Sequence, residues 1–273
     1  MTQVAAVFLP LLVAYAATGR WIWDRWLMPD SYYAHGPLVV GVGLAMLWWR
    51  RRTFGAVPGV PDPRGWWLLG PGLLLHLVGA ALMIDSLSAA SLVPTLFGAV
   101  WLAYGRARGR SLAPIVALTA FAIPMPIFMT GRLAFELKEI ALTMALRACD
   151  LVGVAVRRVG AEVYVAPHDG ALLVADPCSG LRSLIALVTL GYGVAFFTGP
   201  QHGARRWILL ASALPVAVLS NVLRIAGICV VARSQGVEYA ATTGHDILTG
   251  AAWILDLALL LLLDRWLTRG AAR

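Results

Sequence analysis

Charge is what this sequence has least of. Only 13% of its 273 residues are Asp, Glu, Lys or Arg, and 60% are hydrophobic, where a soluble domain has about 25% and roughly 45–50%. That deficit excludes a water-soluble globular domain and leaves a polytopic membrane protein. Cysteine is scarce too. Cys149, Cys178 and Cys229 are the only three, which gives no disulfide framework and no pair at metal-ligand spacing, but allows one special thiol. The N-terminus lacks a basic region and an Ala-x-Ala-like cleavage site before Arg20. Its apolar run therefore reads as an uncleaved first span, and the mature protein is expected to keep every residue. Internal repeats, low-complexity tracts and a soluble second domain are all missing. Glycine patterns such as Gly41-Val-Gly43 and Gly70-Pro-Gly72 lack the strand-to-helix context of a phosphate loop and read as helix-packing positions.

What is there is a series of apolar runs separated by short basic clusters. A bilayer-spanning helix needs about 20 mostly apolar residues, and the runs 3–19, 35–50, 65–84, 87–105, 111–130, 179–198, 206–232 and 246–266 qualify. The expected fold is all-α, a polytopic bundle of about eight transmembrane helices forming one domain over 1–273. Prolines inside the runs are compatible with a bundle, where neighbouring helices re-satisfy the freed backbone groups. The net charge of +8 comes from arginines grouped around 50–52 and 64, 106–110, 205–206 and 265–273, with no basic domain to track nucleic acid. With eight spans these groups fall on one side, the cytoplasmic one, together with both termini. The external side then receives 131–178, expected to be an amphipathic helix at 132–156 followed by a small β-hairpin. Its strands are 161–165 and 171–175, around Pro167-His-Asp-Gly170, immediately before the sixth helix.

Three residues with chemical potential fall at the outer ends of successive helices. Cys178 begins the sixth, where unpaired N–H groups and the helix dipole favour a thiolate, and Ser179 and Gly180 are small enough to leave it approachable. The other reading is an ordinary buried cysteine. Arg224, in Asn221-Val-Leu-Arg224, lies inside an apolar run, where an arginine costs about 2.5–3.5 kcal/mol on insertion scales. It is either the cation of a site or a snorkelling or ion-paired arginine, and Asn221 at i−3 is placed to orient it. His245 begins the eighth helix with a side chain suited to acid and base duty near neutrality, although histidine is also common at interfaces. Together they put a nucleophile, a cation and an acid or base in one leaflet.

Several supporting residues remain open at this point. Arg182, at i+4 from Cys178, is a second cation or the partner of an acid. Asp256, roughly 16 Å inside the eighth helix, is a counter-ion to Arg224 or Arg182, or else a protonated acid. His35, after Tyr32 and Tyr33, lines the same external site or belongs to an aromatic interface anchor. Cys149, Cys229, His76, His168 and His202 read as structural.

With those residues in view, the chain resembles the exosortase/archaeosortase family of integral membrane cysteine transpeptidases. Cys178-Ser179-Gly180 is similar to the family's nucleophile motif, Asn221-x-x-Arg224 to its arginine motif and Gly244-His245 to its histidine motif, in the same order. Tyr33-Ala-His-Gly36, the apolar helix ending in Trp48-Trp49-Arg-Arg51, and Pro124-Met-Pro126 extend the resemblance over residues 20–265. Asp176-Pro177 departs from the small or acidic residues without proline expected there. The resemblance implies a protease or transpeptidase of the cytoplasmic (inner) membrane, with its site facing the exterior. Its substrates would be exported, membrane-anchored proteins with a C-terminal sorting signal of motif, transmembrane helix and basic tail, as in PEP-CTERM proteins. Cys178 would attack the scissile carbonyl, Arg224 stabilise the oxyanion and His245 protonate the leaving amine. A thioester resolved by an amine acceptor or water would follow. No metal or organic cofactor and no nucleic acid is implied. The rival readings are a membrane acyltransferase on lipid or glycan, and a non-enzymatic component of polymer export. The latter would need a polar path through both leaflets, which the sequence does not supply.

Overall fold

The computed structural model describes residues 2–29, 31–57, 59–168, 170–174, 179–198 and 203–271. Its backbone is mostly helical, with one small antiparallel sheet. Helices suit an apolar chain because each pairs its backbone groups within its own segment, which hydrocarbon demands. The chain packs as two compact units, Met1–Pro126 and Ile127–Arg273.

In the first unit, α1 (Thr2–Ala14) and α2 (Ala16–Leu27) meet at a 60° bend. They are followed by α3 (Gly36–Trp49), α4 (Arg51–Ala56), α5 (Trp66–Ala81), α6 (Asp85–Ala90) and α7 (Leu92–Leu118). The helical stretch from Asp85 to Ala122 has 38 residues, which as a straight rod would measure about 57 Å against a hydrocarbon core of about 30 Å. It is not straight. Gly105 breaks it with φ 74° and ψ 174°, and a Cβ there would stand 1.9 Å from the Val60 carbonyl oxygen, so both conformation and space require glycine. Leu96 and Val100 before the break and Leu112 and Val116 after it line one cavity of about 710 Å³, which a straight rod could not achieve. The second half ends at Ala122 rather than at 130, because Pro124 and Pro126 disfavour helix at and before them.

The α5–α7 contact is close. Gly72 and Gly98 each sit where a Cβ would come within 2.8 Å of a facing backbone nitrogen, and Gly79 does the same against Ser88 of α6. A buried polar network accompanies it. His76, for which the sequence offers no partner, meets the Ser88 hydroxyl at 2.8 Å and the Ala14 carbonyl at 3.2 Å, and its ring lies 4.0 Å from that of Tyr15. Thr18 reaches Ser88 at 2.7 Å, while the Tyr15 hydroxyl reaches Ser91 at 2.7 Å and Thr95 at 2.9 Å. Hydrogen bonds between helices are the usual glue where water and lipid give apolar faces little reason to choose partners.

The second unit comprises α8 (Ile127–Leu151), β1 (Val156–Val159), β2 (Glu162–Val165), β3 (Ala171–Leu173), α9 (Leu181–Phe197), α10 (Gly203–Gln235), α11 (Val237–Tyr239) and α12 (His245–Ala271). The helix expected over 132–156 begins at Ile127 and stops at Leu151. Gly153 takes φ 71°, and the next residues pair as a strand instead. The result is a three-stranded meander β1-β2-β3, with Val156 opposite Val165 and Val163 opposite Leu172. β1 was hidden in the sequence by Arg157 and Arg158. Arg158 is held by Glu139 of α8 at 2.6 Å, and this hydrogen bond lowers the Glu139 carboxyl below its ordinary value. The inner face of the sheet, Val163, Val165, Leu172 and Val174, packs with Leu142, Ala145 and Cys149 of α8 and with Val222, Ile225 and Cys229 of α10.

Along the other half of α10, Leu209, Ala213 and Ala217 pack with Leu187 and Val194 of α9 and Leu260 of α12. Among the described residues, three stretches are long and apolar enough to cross a membrane: Asp85–Ala122, Gly203–Gln235 and Val237–Arg269. The bent α1–α2 pair makes a fourth if it is one span, and Gly36–Trp49 and Leu181–Phe197 are shorter apolar helices. The protein is a multi-pass membrane protein.

Arg205 is not a loop cation but a buried residue, 4% exposed. Its guanidinium grips Asp264 of α12 at 2.6 Å and donates to the carbonyls of Ala195 at 3.2 Å and Val194 at 3.3 Å, tying α9, α10 and α12 together. Removing one member of a buried pair leaves an uncompensated charge and costs about 3–5 kcal/mol. Asp264→Ala is therefore expected to lower the thermal unfolding midpoint in detergent markedly, and Arg205→Leu/Asp264→Leu to recover much of that loss. Equal midpoints for wild type and Asp264→Ala would contradict this role.

Candidate active site

Helix α9 starts abruptly because Gly180 takes a left-handed conformation, φ 76° and ψ 0°, at its N-cap. Ser179 is buried, and its hydroxyl accepts from the Leu181 N–H at 3.3 Å. Cys178 and the preceding 175–177 lie outside the described residues, so the structure speaks for the nucleophile motif through Ser179 and Gly180. A Cβ on Gly180 would fall 2.9 Å from Cγ and Nδ2 of Asn221. The glycine is thus seated directly against the asparagine of α10, from a part of the chain far away in sequence.

Asn221 passes that contact on. Its Oδ1 accepts from Nη2 of Arg224 at 2.6 Å, one helical turn further along α10. Both are buried, at 4% and 7% exposure, deep enough that a guanidinium needs fixed partners. Asp256 of α12, 1% exposed, lies near Ser220 and Arg224, with no hydrogen bond to either carboxylate oxygen among the described residues. Ser220 in turn donates to the Ala252 carbonyl at 3.4 Å, fastening α10 to α12 at this level. Arg182, in the first turn of α9, is partly buried.

His245 is the first residue of α12 and follows a π-helical turn, Ala240–Gly244. Its Nδ1 lies 3.2 Å from Asp246 Oδ1, and its side chain is one-third exposed. The height of His245 follows from the packing of the two antiparallel helices. A Cβ on Gly244 would meet Val231 at 3.1 Å, a Cβ on Gly227 would meet Leu248 at 3.2 Å, and Ser220 bonds Ala252. That register puts His245 level with about residue 230 of α10, roughly 9 Å beyond Arg224 along the axis. Both side chains are long enough to approach a group held between them.

The structure thus joins Ser179-Gly180, Asn221 and Arg224, with Asp256 nearby, and sets His245 further along the α10–α12 pair. His35 belongs to the first unit. There it stands before α3 beside Tyr33, with ring centroids 6.1 Å apart, and Tyr33 accepts from the Met125 N–H at 3.1 Å. Cys149 and Cys229 are buried free thiols within the core packed between α8, α10 and the sheet. Sequence reasoning missed Ser220, whose only signal is its place beside Asn221. It also missed an apolar slot of about 80 Å³ with His245 on its lining, since the slot's walls come from strand, helix and turn residues that share no motif.

A family model for transmembrane exosortases matches residues 23–263. The chain belongs to the transmembrane exosortase family. The match runs across both units and includes every residue of the cluster above. Exosortases are membrane transpeptidases, which identifies the bilayer and protein substrates as what this enzyme works with. No curated protein and no solved structure matches the chain.

The Gly180–Asn221 contact is open to a direct check. Gly180→Ala forces an L-residue into the left-handed region, at about 1–2 kcal/mol, and drives a methyl group into Asn221. It is expected to lower the unfolding midpoint clearly more than Ser179→Ala, which removes one hydroxyl. Similar midpoints for the two variants would show that Gly180 and Asn221 are not in contact.

Proposed function

We propose that this exosortase is a cysteine transpeptidase that cleaves C-terminal sorting signals of the PEP-CTERM kind from exported proteins, through a thioester on Cys178. One observation carries the reading. The residue two places after Cys178 is seated on Asn221, and Asn221 holds the Arg224 guanidinium, so a helix N-terminus and a buried cation converge beside the thiol's position in the chain.

The thiolate of Cys178 attacks the scissile carbonyl, forming a C–S bond and placing negative charge on the carbonyl oxygen. Arg224, oriented by Asn221, is the donor for that oxyanion, and such preorganised donors are typically worth about 10²–10³ in rate. His245 gives its proton to the leaving nitrogen as the C–N bond breaks, releasing the signal helix as an amine. An amine acceptor or water then attacks the thioester and gives its proton to His245, and the C–S bond breaks to restore the Cys178 thiolate. Ser179, Gly180 and Arg182 shape the approach to the thiol, Asp256 balances the Arg224 charge, and His35 contributes to the external end of the fold.

The reading places the enzyme in the cytoplasmic membrane with eight spans, both termini in the cytoplasm and the site outward. Two features support that topology. The break at Gly105 divides a stretch too long for one span into two. In addition, the 205–224 stretch of α10, about 28 Å long at 1.5 Å per residue, roughly equals the hydrocarbon thickness. Arg205 and Arg224 therefore sit near opposite boundaries, with Arg224 and the sheet toward the exterior.

Cys178→Ala is expected to abolish processing of a tagged substrate while the protein still accumulates in the membrane. Arg224→Ala should reduce the rate by about 100-fold or more, and Cys149→Ala should process normally. Undiminished processing by Cys178→Ala would overturn the assignment.

A further inference from the structure

We propose that the apolar slot with His245 on its lining is a specificity pocket that takes a small aliphatic side chain of the substrate beside the scissile bond. This deepens the function proposed above and rests on its assignment of His245. The slot lies between the sheet, α10 and the π-helical turn, walled by Val163, Leu172, Val174, Ile225, Cys229 and Ala240. All six are buried, and His245 is the one side chain on the lining that can carry a charge near neutrality. A wall of this kind offers a polar side chain no hydrogen bond, and burying one unpaired costs about 1–3 kcal/mol. Acidic, basic and amide side chains are therefore turned away.

Size narrows the class further. An engineered apolar cavity of about 150 Å³ holds benzene, and this slot measures about 80 Å³. It suits three or four carbon atoms and is too small for an aromatic ring. Its position in the chain ties it to the chemistry: Ile225 follows Arg224 directly, Val174 precedes the segment that leads to Cys178, and His245 closes the end of the turn. The mouth is open to solvent past Leu173 and Ala241, both exposed, so an extended peptide has access. Two lining positions permit redesign with little risk to folding, since Ala241 is exposed and Ile228 is only partly buried.

The test uses the full-length protein in proteoliposomes with a panel of synthetic substrates. Each motif residue flanking the cleavage point is varied in turn through Gly, Ala, Val, Leu, Phe and Asp. Wild type is expected to show one position that prefers Val or Leu to both Phe and Asp. Ile228→Ala enlarges the slot and should raise the kcat/KM ratio of Phe over Val at that position by about tenfold or more, the worth of one or two methylenes in an apolar pocket. Ala241→Leu narrows the mouth and should shift the ratio of Ala over Leu upward by a similar factor. If both variants change every substrate by the same factor while processing still depends on Cys178, the slot is not a substrate pocket and the cysteine assignment survives. If Cys178→Ala still processes the panel, the assignment and the pocket fall together.

Discussion

Helix α10 must carry two guanidinium groups through a low-dielectric interior, and the second unit is arranged around that demand. Arg205 and Arg224 are 4% and 7% exposed, and Arg205 is met by partners from two other helices. At one end Asp264 and the carbonyls at the close of α9 surround Arg205. At the other, Asn221 takes an Nη2 hydrogen bond from Arg224, with Asp256 of α12 nearby. Neighbouring helices are thereby fixed in register with α10. A cation at membrane depth is costly to insert, so it lasts only where the surrounding fold determines its place.

The two ends serve different purposes. The Arg205 pair acts as a clamp among α9, α10 and α12. The Arg224 end adjoins the left-handed start of α9, the π-helical turn before His245 and the sheet, where helices stop and irregular backbone begins. The π turn is itself informative, because such turns are rare and concentrate at functional sites. Here it delivers His245 to the slot. The small sheet supplies the slot's outer wall, which gives the β segment a use beyond linking α8 to α9.

Much of this was legible in the residues. The apolar runs mark the helices, Pro124 and Pro126 mark the end of one, and the turn residues after 160 mark strands. Cys-Ser-Gly, Asn-x-x-Arg and Gly-His in order were enough to point to the family that residues 23–263 match. The failures have local causes. β1 escaped because two arginines broke its apolar pattern, and its partner for one of them, Glu139, is supplied by a helix. Arg205 was taken for a topology charge because a basic residue near the end of an apolar run looks the same whether it faces lipid headgroups or a carboxylate on another helix. His76 looked isolated because its partners, Ser88 and Ala14, lie on two other helices.

The sequence by itself determined the solvent, the helical character and the residues able to do chemistry, since these follow from side-chain type and spacing along one segment. Tertiary structure alone decided which of those residues meet. Gly180 against Asn221, Arg205 against Asp264 and His245 on an apolar slot are contacts between segments far apart in the chain. Their pairing depends on how helices register, which is set by glycine clearances, the Arg205–Asp264 ion pair and the π turn at Ala240–Gly244 rather than by any local pattern.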